Sequence, residues 1–431
     1  MDVSEHQHIF FWFFEARNVD PTTAPLTIWL NGGPGDPSMV GAFSENGPCT
    51  IDYNGNLQYN KYSWSNASNM IYIDQPTQVG FSYSDPTPGY IDSDTGDIVP
   101  LSSNVCPDGI DSCGTYSYPN ASNTADSTPA AAPNVWRTLQ GFMGVFPQYA
   151  RNGVNLGTES YGGHFGPVFS EYFETQNANL PKNASQICLH GLIINNGWYD
   201  PRIQYPAYYT YIVNNTYDFH PYNQAQLTKM HDDFYGAGNC VDQLNACNNG
   251  GSDQVCSDAD DFCYDVEAQY DDITGRDEYD IRELEPDPYP YTNFVAYLNT
   301  PRVQKAIGAY QNFSYAVTNL GGGTVSNAFG TTGDDAKELG IITDIQDLIK
   351  KGVYVLAYHG DADYNCNWLG GEQVANEIKP PGWAASGYQN ITTSDKIVHG
   401  VVRQSGLYAF ARIYQSGHQV PFYQPLTAFT L

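Results

Sequence analysis

The chain has 431 residues, of which 41% are hydrophobic and 14% aromatic, and its formal net charge is −29 at pH 7. This apolar content excludes general disorder, and the length allows one large core, with or without an insertion. The negative charge disfavours nucleic acid and anionic membranes as partners, and it suits either an acidic medium or simple solubility. The longest strongly apolar run, at 9–14, is too short to span a bilayer.

The first 199 residues predict alternating strands and helices. No signal peptide follows Met1, and because the chain opens almost directly into a strand we expect a leader to be absent from it. Short apolar runs predict buried strands at 9–15, 26–30, 70–74, 154–157 and 189–194. Helical patterns lie at 123–146 and 161–176. Such alternation is typical of a mostly parallel sheet with helices on both faces.

This rhythm breaks between about 200 and 305, where Tyr, Asp, Asn and Cys are frequent and no clean strand run occurs. The pattern then resumes with a helix at 343–351 and strands at 353–358, 396–402 and 405–414. The glycines at 321–323 indicate a loop. We therefore predict a core made of 1–199 and 306–431 that is interrupted by an insertion at 200–305.

A serine motif lies between the strand at 154–157 and the helix at 161–176. Ser160 stands between Glu159 and Tyr161 and is followed by two glycines. This resembles the nucleophile elbow of α/β-hydrolases, a tight strand-to-helix turn that exposes the serine hydroxyl. The usual pattern has Gly two residues before the serine, where this chain has Thr158. Taken alone, the motif is also compatible with an ordinary surface turn.

Two distant segments supply the partners that a nucleophilic serine needs. Asp361 and Asp363 follow the predicted strand at 353–358, and His418 lies near the C-terminus. The order Ser, Asp, His is that of the α/β-hydrolases. An imidazole must take the serine proton, and a carboxylate must orient the imidazole. Either aspartate could follow the strand.

A glycine-rich loop at 31–35 follows the predicted strand at 26–30. Such a loop can direct backbone N–H groups at a developing oxyanion. The expected donors are the N–H groups of Gly33 and of Tyr161, the residue after the nucleophile. Phosphate binding is the alternative, but the loop has neither G-K-[ST] nor G-x-G-x-x-G.

With these motifs the chain resembles the serine carboxypeptidase family, especially its secreted fungal members. The matching segments are 31–35, 45–48, 73–76 with 80–83, 159–163, 195–197, 360–363 and 417–421. The resemblance implies an α/β-hydrolase fold and an enzyme that releases C-terminal residues from peptides without a cofactor or metal. It makes 1–199 and 306–431 the catalytic core, with 200–305 as an insertion subdomain over the active site. It also implies the roles of the triad: Ser160 as nucleophile, His418 as general base and acid, and Asp363 as orienting carboxylate. Asp361 is then a turn residue.

The family further implies a set that binds the substrate's C-terminal carboxylate. Its members are Asn31, Gly32, Glu45 and Glu159, with Trp29 beneath them. Two glutamates and a substrate carboxylate in one pocket cannot all be charged, so at least one glutamate must hold a proton. The protonated glutamate can donate a hydrogen bond, and recognition weakens above the apparent pKa of the pair. Peptidase activity is therefore expected at acid pH.

One departure from the family concerns the loop after Gly35. Many relatives have Cys-Ser-Ser there, whereas this chain has Asp36, Pro37 and Ser38. A disulfide that anchors the loop in those relatives is absent, which leaves the oxyanion loop less rigid and could displace the first residues of the carboxylate-binding set.

The cysteines and glycosylation motifs favour an oxidising secretory route, secreted or vacuolar. The six N-x-[ST] sequons are at Asn66, Asn120, Asn183, Asn214, Asn312 and Asn390. The nine cysteines lack the C-x2-C spacing typical of zinc sites.

Four of the cysteines lie in the insertion and allow three pairings. A yeast member of the family has the same spacing with nested bridges, so the resemblance implies Cys240–Cys263 and Cys247–Cys256. Cys106–Cys113 is then plausible as a local bridge, which leaves Cys49 with Cys188. The family places a free thiol at Cys366, as a buried packing group near the substrate cleft.

Three functions compete on these observations. The first is an acid serine carboxypeptidase whose substrates are peptide or protein C-termini, with a monomer favoured. The second is an acyltransferase or esterase of the same fold, and the third is a non-catalytic binding protein. The presence of Asn31, Glu45 and Glu159 favours the peptidase, and the intact Ser, Asp and His argue against a binding protein.

Overall fold

The computed structural model describes residues 1–92, 95–287, 292–315 and 323–431. Its strands are β1 Asp2–Ser4, β2 Gln7–His8, β3 Phe10–Phe14, β4 Leu26–Leu30, β5 Cys49–Ile51, β6 Leu57–Tyr59, β7 Asn69–Asp74, β8 Pro86–Ile91, β9 Ile98–Pro100, β10 Gly114–Ser117, β11 Val154–Glu159, β12 Leu189–Asn195, β13 Tyr354–Gly360, β14 Tyr388–Thr392, β15 Val398–Ser405 and β16 Tyr408–Ile413. Its α-helices are α1 Thr128–Val145, α2 Gly162–Ala178, α3 Pro201–Val213, α4 Gln224–Tyr235, α5 Cys240–Asn248, α6 Asp253–Glu267, α7 Gln269–Thr274, α8 Asn293–Leu298, α9 Pro301–Ile307, α10 Thr324–Thr332, α11 Ile341–Lys350, α12 Trp368–Ile378, α13 Val420–Tyr423 and α14 Pro425–Thr430. Two glycines of the loop predicted at 321–323 lie outside the described residues.

The chain divides into two compact units. The first comprises Met1–Asn155, Tyr172–Cys188 and Tyr289–Phe329, and the second comprises Leu156–Glu171, Leu189–Pro288 and Gly330–Leu431. This division differs from the predicted split into a core and an insertion at 200–305, which stays a prediction. Among the described residues, no helix combines the length and the apolar character needed to cross a membrane.

In the first unit, β7 lies between β4 and β3, parallel to β4 and antiparallel to β3. Every residue of β4 and β7 is buried, as expected for strands covered on both faces. Trp29, Met70 and Tyr72 belong to the hydrophobic core of this unit. The apolar runs predicted as strands at 26–30 and 70–74 therefore mark its buried sheet.

In the second unit, β12, β13 and β16 are parallel neighbours. The sheet continues with β15, which is antiparallel to β16, and with β14, which is antiparallel to β15. The register pairs Asn195 with Tyr358 and Gly360 with Ile413. The loops after β12, β13 and β16 consequently leave the same edge of the sheet, where open α/β folds bind their ligands. The predicted α/β class with a mostly parallel sheet is confirmed.

The region at 200–287 contains five helices, α3 to α7, which the sequence patterns did not predict. Polar caps begin three of them: Asp200 accepts from Arg202 N, Asn223 forms a capping box with Gln226, and Ser252 accepts from Val255 N. Two nested disulfides, Cys240–Cys263 and Cys247–Cys256, join α5 to α6. These bridges stabilise a helix pair that carries little apolar surface.

Cysteine pairing differs from the prediction at one bridge. Cys106–Cys113 is formed, but Cys49 and Cys188 are both free, so the predicted Cys49–Cys188 bridge is wrong. Cys49 lies in the β5–β6 hairpin, whereas Cys188 comes directly before β12 with its carbonyl bonded to Val154 N. Cys366 is free as predicted, but it is one of three free thiols among the described residues rather than the only one.

The sequons differ in accessibility. Asn183, Asn214 and Asn390 are exposed, and Asn120 and Asn312 are half-buried. Asn66 is buried, and its Nδ2 donates to the Lys61 carbonyl at 2.8 Å. Because a glycan on this nitrogen needs room in solvent, the burial of Asn66 does not fit its predicted glycosylation.

Buried carboxyl groups make the stability of the fold depend on pH. Burial raises the pKa of Asp74 to about 7 and that of Glu278 to about 8. Carboxyl groups of the unfolded chain have pKa values of about 4. Between these limits the folded protein binds more protons than the unfolded chain, so stability falls as pH rises. We expect a higher unfolding temperature at pH 5 than at pH 8.

Thermal unfolding across this pH range checks the expectation. Glu278→Gln should reduce the loss of stability with rising pH, and Glu5→Gln, at an exposed acid, serves as the control. If Glu278→Gln has the wild-type pH dependence of stability, protonation of Glu278 is not a cause of that dependence.

Candidate active site

The turn between β11 and α2 has the geometry of a nucleophile elbow. Ser160 adopts a left-handed backbone with φ of +62°, which an L-residue other than glycine takes up only under constraint. A Cβ on Gly162 would collide with Thr158, and one on Gly163 would collide with the Trp198 backbone. The Thr158 hydroxyl donates to the Gly162 carbonyl at 2.9 Å. The unusual threonine therefore fits the turn and ties its two sides together.

Asp363 and His418 meet at the edge of the sheet where β13 and β16 end. His418 Nδ1 lies 2.9 Å from Asp363 Oδ2, and both side chains are buried. Asp363 Oδ2 also accepts from Asn196 Nδ2 at 2.6 Å and from Cys366 N at 3.2 Å. This carboxylate can fix the tautomer and orientation of the imidazole and stabilise the imidazolium.

Asp361, the other candidate, is bound to different groups. Its Oδ1 accepts from the Tyr217 hydroxyl at 2.6 Å and from Gln415 N at 2.9 Å. Burial raises its pKa. These contacts are those of a residue that holds its own loops in place, and the geometry favours Asp363 as the partner of His418.

A segment of the second unit, 278–281, supports both loops through its backbone. The Glu278 carbonyl accepts from the N–H groups of Tyr364 and Asn365, and the Tyr279 carbonyl accepts from His418 N at 2.9 Å. Ile281 N donates to the Ala362 carbonyl at 2.9 Å. The region predicted as an insertion thus helps to fix the positions of Asp363 and His418.

Sequence reasoning gave no role to the two asparagines at the end of β12. Asn196 Nδ2 binds Asp363, and its Oδ1 accepts from Gly360 N at 3.0 Å. Asn195 accepts from Ser160 N through its carbonyl at 3.0 Å. The motif at 195–197 was a signal, but the contacts that explain it are visible only in the fold.

The residues expected to bind a carboxylate occupy both units. In the first, Asn31 Oδ1 accepts from Trp29 Nε1 at 2.9 Å and from Gly41 N at 3.0 Å. Its Nδ2 donates to Glu45 Oε1 at 3.1 Å, and all three side chains are buried. In the second unit, Asn195 Nδ2 donates to buried Glu159 Oε2 at 2.6 Å. Each glutamate is thus oriented by an asparagine amide.

The loop at 31–38 is anchored without the disulfide found in many relatives. Ser38 Oγ donates to the Ile73 carbonyl at 2.6 Å and lies 3.3 Å from Asn31 N. Gly32 O accepts from Asp36 N at 3.2 Å. Gly33 has φ of +103°, and a Cβ there would collide with the N–H groups of Gly35 and Asp36. Ser38 and the loop's own backbone therefore hold the conformation that glycine permits.

Cys366 lies beside Asp363 and His418, and Tyr161 follows Ser160, all in the second unit. Burial raises the pKa of the Cys366 thiol well above its usual value, which keeps the thiol protonated and weakly nucleophilic. Its Sγ lies within 4.8 Å of the facing atoms of Asp363 and His418. The Tyr161 hydroxyl donates to Asp334 Oδ2 at 2.7 Å, which fixes the residue after the nucleophile.

Comparison with known proteins finds relatives in one enzyme family and a solved structure of similar fold. A family model described as serine carboxypeptidase matches residues 1–431. Carboxypeptidase S1 of Penicillium janthinellum is 36% identical over 437 residues, which cover 99% of this chain and 92% of that protein. Carboxypeptidase S1 homolog B of Arthroderma otae is 37% identical over 455 residues, which cover 97% and 68%. The solved structure of Kex1(delta)p, a prohormone-processing carboxypeptidase from Saccharomyces cerevisiae, is similar in fold with a TM-score of 0.73, at 21% identity over 98% of this chain and 85% of that one.

Proposed function

The chain belongs to the serine carboxypeptidase family and is a serine-type carboxypeptidase of the α/β-hydrolase fold, and from this premise we propose that Ser160, His418 and Asp363 are its catalytic residues. The observation that supports this most is the bond between His418 Nδ1 and Asp363 Oδ2 in the unit that carries the strained turn at Ser160. A serine, histidine and aspartate in these roles supply the nucleophile, the base and the orienting carboxylate for acyl transfer.

In the proposed reaction, His418 takes the proton of the Ser160 hydroxyl. The serine oxygen then attacks the carbonyl carbon of the last peptide bond. The C–N bond breaks, and His418 passes the proton to the departing amino group. The C-terminal amino acid leaves, and a water activated by His418 hydrolyses the acyl-enzyme. The N–H groups of Gly33 and Tyr161 are the proposed donors to the oxyanion.

Recognition of the free C-terminus is assigned to Asn31, Gly32, Glu45 and Glu159, with Trp29 beneath. Burial and a neighbouring carboxylate both favour the neutral form of a carboxyl group. Glu45 and Glu159 are only 2% and 3% exposed. A protonated glutamate can donate to the substrate carboxylate, whereas an ionised one repels it. The proposed enzyme therefore binds peptides best at acid pH.

This account predicts how Glu45→Gln and Glu159→Gln change the pH dependence. An amide donates a hydrogen bond without needing a proton, so the rise of the peptide KM with pH should flatten in either variant. Hydrolysis of simple esters should respond less, because an ester lacks the terminal carboxylate. Initial rates between pH 4 and 7 measure both. A wild-type peptide KM that does not change over this range would contradict recognition by a protonated glutamate.

The same chemistry separates the peptidase from an acyltransferase or esterase of the same fold. A blocked dipeptide and its C-terminal amide differ only in the group that the proposed set recognises. At pH 5 the peptidase should hydrolyse the dipeptide with the free carboxylate faster than its amide. Equal rates on the two, or activity confined to small esters, would favour the alternative.

The proposed location is the secretory pathway, secreted or vacuolar, in an acidic environment. Three disulfides support an oxidising route, and buried carboxyls with raised pKa values suit acid conditions. The proposed glycan sites are Asn120, Asn183, Asn214, Asn312 and Asn390, none of which is buried.

A further inference from the structure

Asn195 contacts three parts of the active site from one position. It is the last residue of β12 and is fully buried. Its carbonyl accepts from Ser160 N at 3.0 Å. Its side-chain Nδ2 donates to Glu159 Oε2 at 2.6 Å and to the His418 carbonyl at 3.1 Å. One residue thus binds the backbone of the nucleophile, the backbone of the catalytic histidine and a glutamate proposed to bind substrate.

The His418 carbonyl decides which way the amide of Asn195 faces. A carbonyl oxygen can only accept a hydrogen bond, so the amide must turn its NH2 group toward it. The same NH2 group then faces Glu159 Oε2, which must act as the acceptor. The carbonyl oxygen of a carboxylic acid is a better acceptor than its hydroxyl oxygen. The contact with Asn195 therefore favours Oε1 as the oxygen that carries a proton on Glu159.

Asn31 orients Glu45 in the same manner. Its Oδ1 is occupied by two donors, Trp29 Nε1 and Gly41 N, so its Nδ2 must face Glu45 Oε1. Asn31 belongs to the set that the family resemblance identifies, whereas no motif gives Asn195 a role. The two contacts have the same chemistry: an asparagine NH2 group holds one glutamate oxygen as acceptor.

We infer that Asn195 is a positioning residue for recognition of the substrate's C-terminal carboxylate. It holds Glu159 so that the other carboxyl oxygen, Oε1, carries the proton that is donated to the substrate. It also links Glu159 to the loop of His418. The inference rests on the proposed role of Glu159. It predicts that Asn195 affects substrate binding, whereas its neighbour Asn196, bound to Asp363, affects turnover.

The test compares Asn195→Leu, Asn195→Asp and Asn196→Asp on a blocked dipeptide and its C-terminal amide. Asn195→Leu has a similar size but cannot donate. At pH 5 we expect its KM for the acid to rise about tenfold or more, as for loss of one hydrogen bond to an ionisable group. The KM for the amide and both kcat values should change far less. Asn196→Asp, at a left-handed position that Asp tolerates, should lower kcat on both substrates alike.

Asn195→Asp provides a second readout, the pH dependence of the peptide KM. It keeps the shape of the asparagine side chain, so it remains usable if the leucine variant does not fold. An added carboxyl beside Glu159 favours retention of its proton, so the rise of the peptide KM should move to higher pH. An unchanged pH profile would overturn the inference. So would an Asn195→Leu variant that loses kcat equally on both substrates, because that is the result of a purely structural role.

The wild-type protein separates failure of this inference from failure of the proposed function. If wild type does not distinguish the acid from the amide at pH 5, the proposed carboxylate recognition is wrong. If wild type distinguishes them and Asn195→Leu distinguishes them equally well, only the role of Asn195 is wrong.

Discussion

Replacing Ser160 by alanine is expected to lower kcat/KM on a blocked dipeptide by at least about 10⁴-fold, because no other group can form the acyl-enzyme. His418→Ala should lose a similar factor, since the serine hydroxyl then has no base. The double variant should be little worse than either single one, because the residues act as a unit. Steady-state rates with purified protein at pH 5 measure these losses.

The control for Ser160→Ala is Ser170→Ala, which removes a buried hydroxyl from α2, the helix that follows the turn at Ser160. It should retain activity. Both variants should unfold at nearly the wild-type temperature, since each deletes a single oxygen atom. Peptidase activity retained by pure Ser160→Ala protein would reject the mechanism.

The second large effect is expected at Asp363. Asp363→Asn keeps the shape but removes the charge that orients and stabilises the imidazolium of His418, and a loss of about 10⁴-fold in kcat is typical of this change. Asp361→Asn is the matched control two residues away. Its amide oxygen can still accept from Tyr217 and Gln415, which donate to Oδ1 in the wild type.

Kinetics of the two variants under the same conditions distinguish the aspartates. Asp361→Asn should keep most of the wild-type kcat, with any deficit appearing in stability. A greater loss in Asp361→Asn than in Asp363→Asn would exchange their roles, and equal small losses would remove the carboxylate from the mechanism.

The central strands of the sheet were largely predictable, because they are buried on both faces and contain apolar runs. The run at 26–30 coincides with β4, and the run at 70–74 lies within β7. The helices between 200 and 287 were not predictable from apolar patterning. Helix α6, for example, contains five aspartates, and its position depends on two disulfides and a serine cap. The disulfides hold α6 in place, whereas an apolar face would have predicted the helix from the sequence.

The site was predictable to the extent that its residues occur in compact motifs. Ser160 and His418 each stand in a short motif, and the structure joins Asp363 to His418. The roles of Asn195 and Asn196 were not predictable, because their partners lie 36 to 223 residues away along the chain. The wrong Cys49–Cys188 bridge has the same cause. That pairing rested on elimination, and elimination contains no information about distance.

The most direct test of the central claim follows the products from one peptide with a free C-terminus and from its amidated twin at pH 5. With the wild-type protein, time-resolved mass spectra should show residues lost one at a time from the free C-terminus, far faster than any change in the amidated peptide. With Ser160→Ala both peptides should stay intact. Internal cleavage, equal attack on the two peptides, or a product ladder that persists in Ser160→Ala would contradict a serine carboxypeptidase built on these residues.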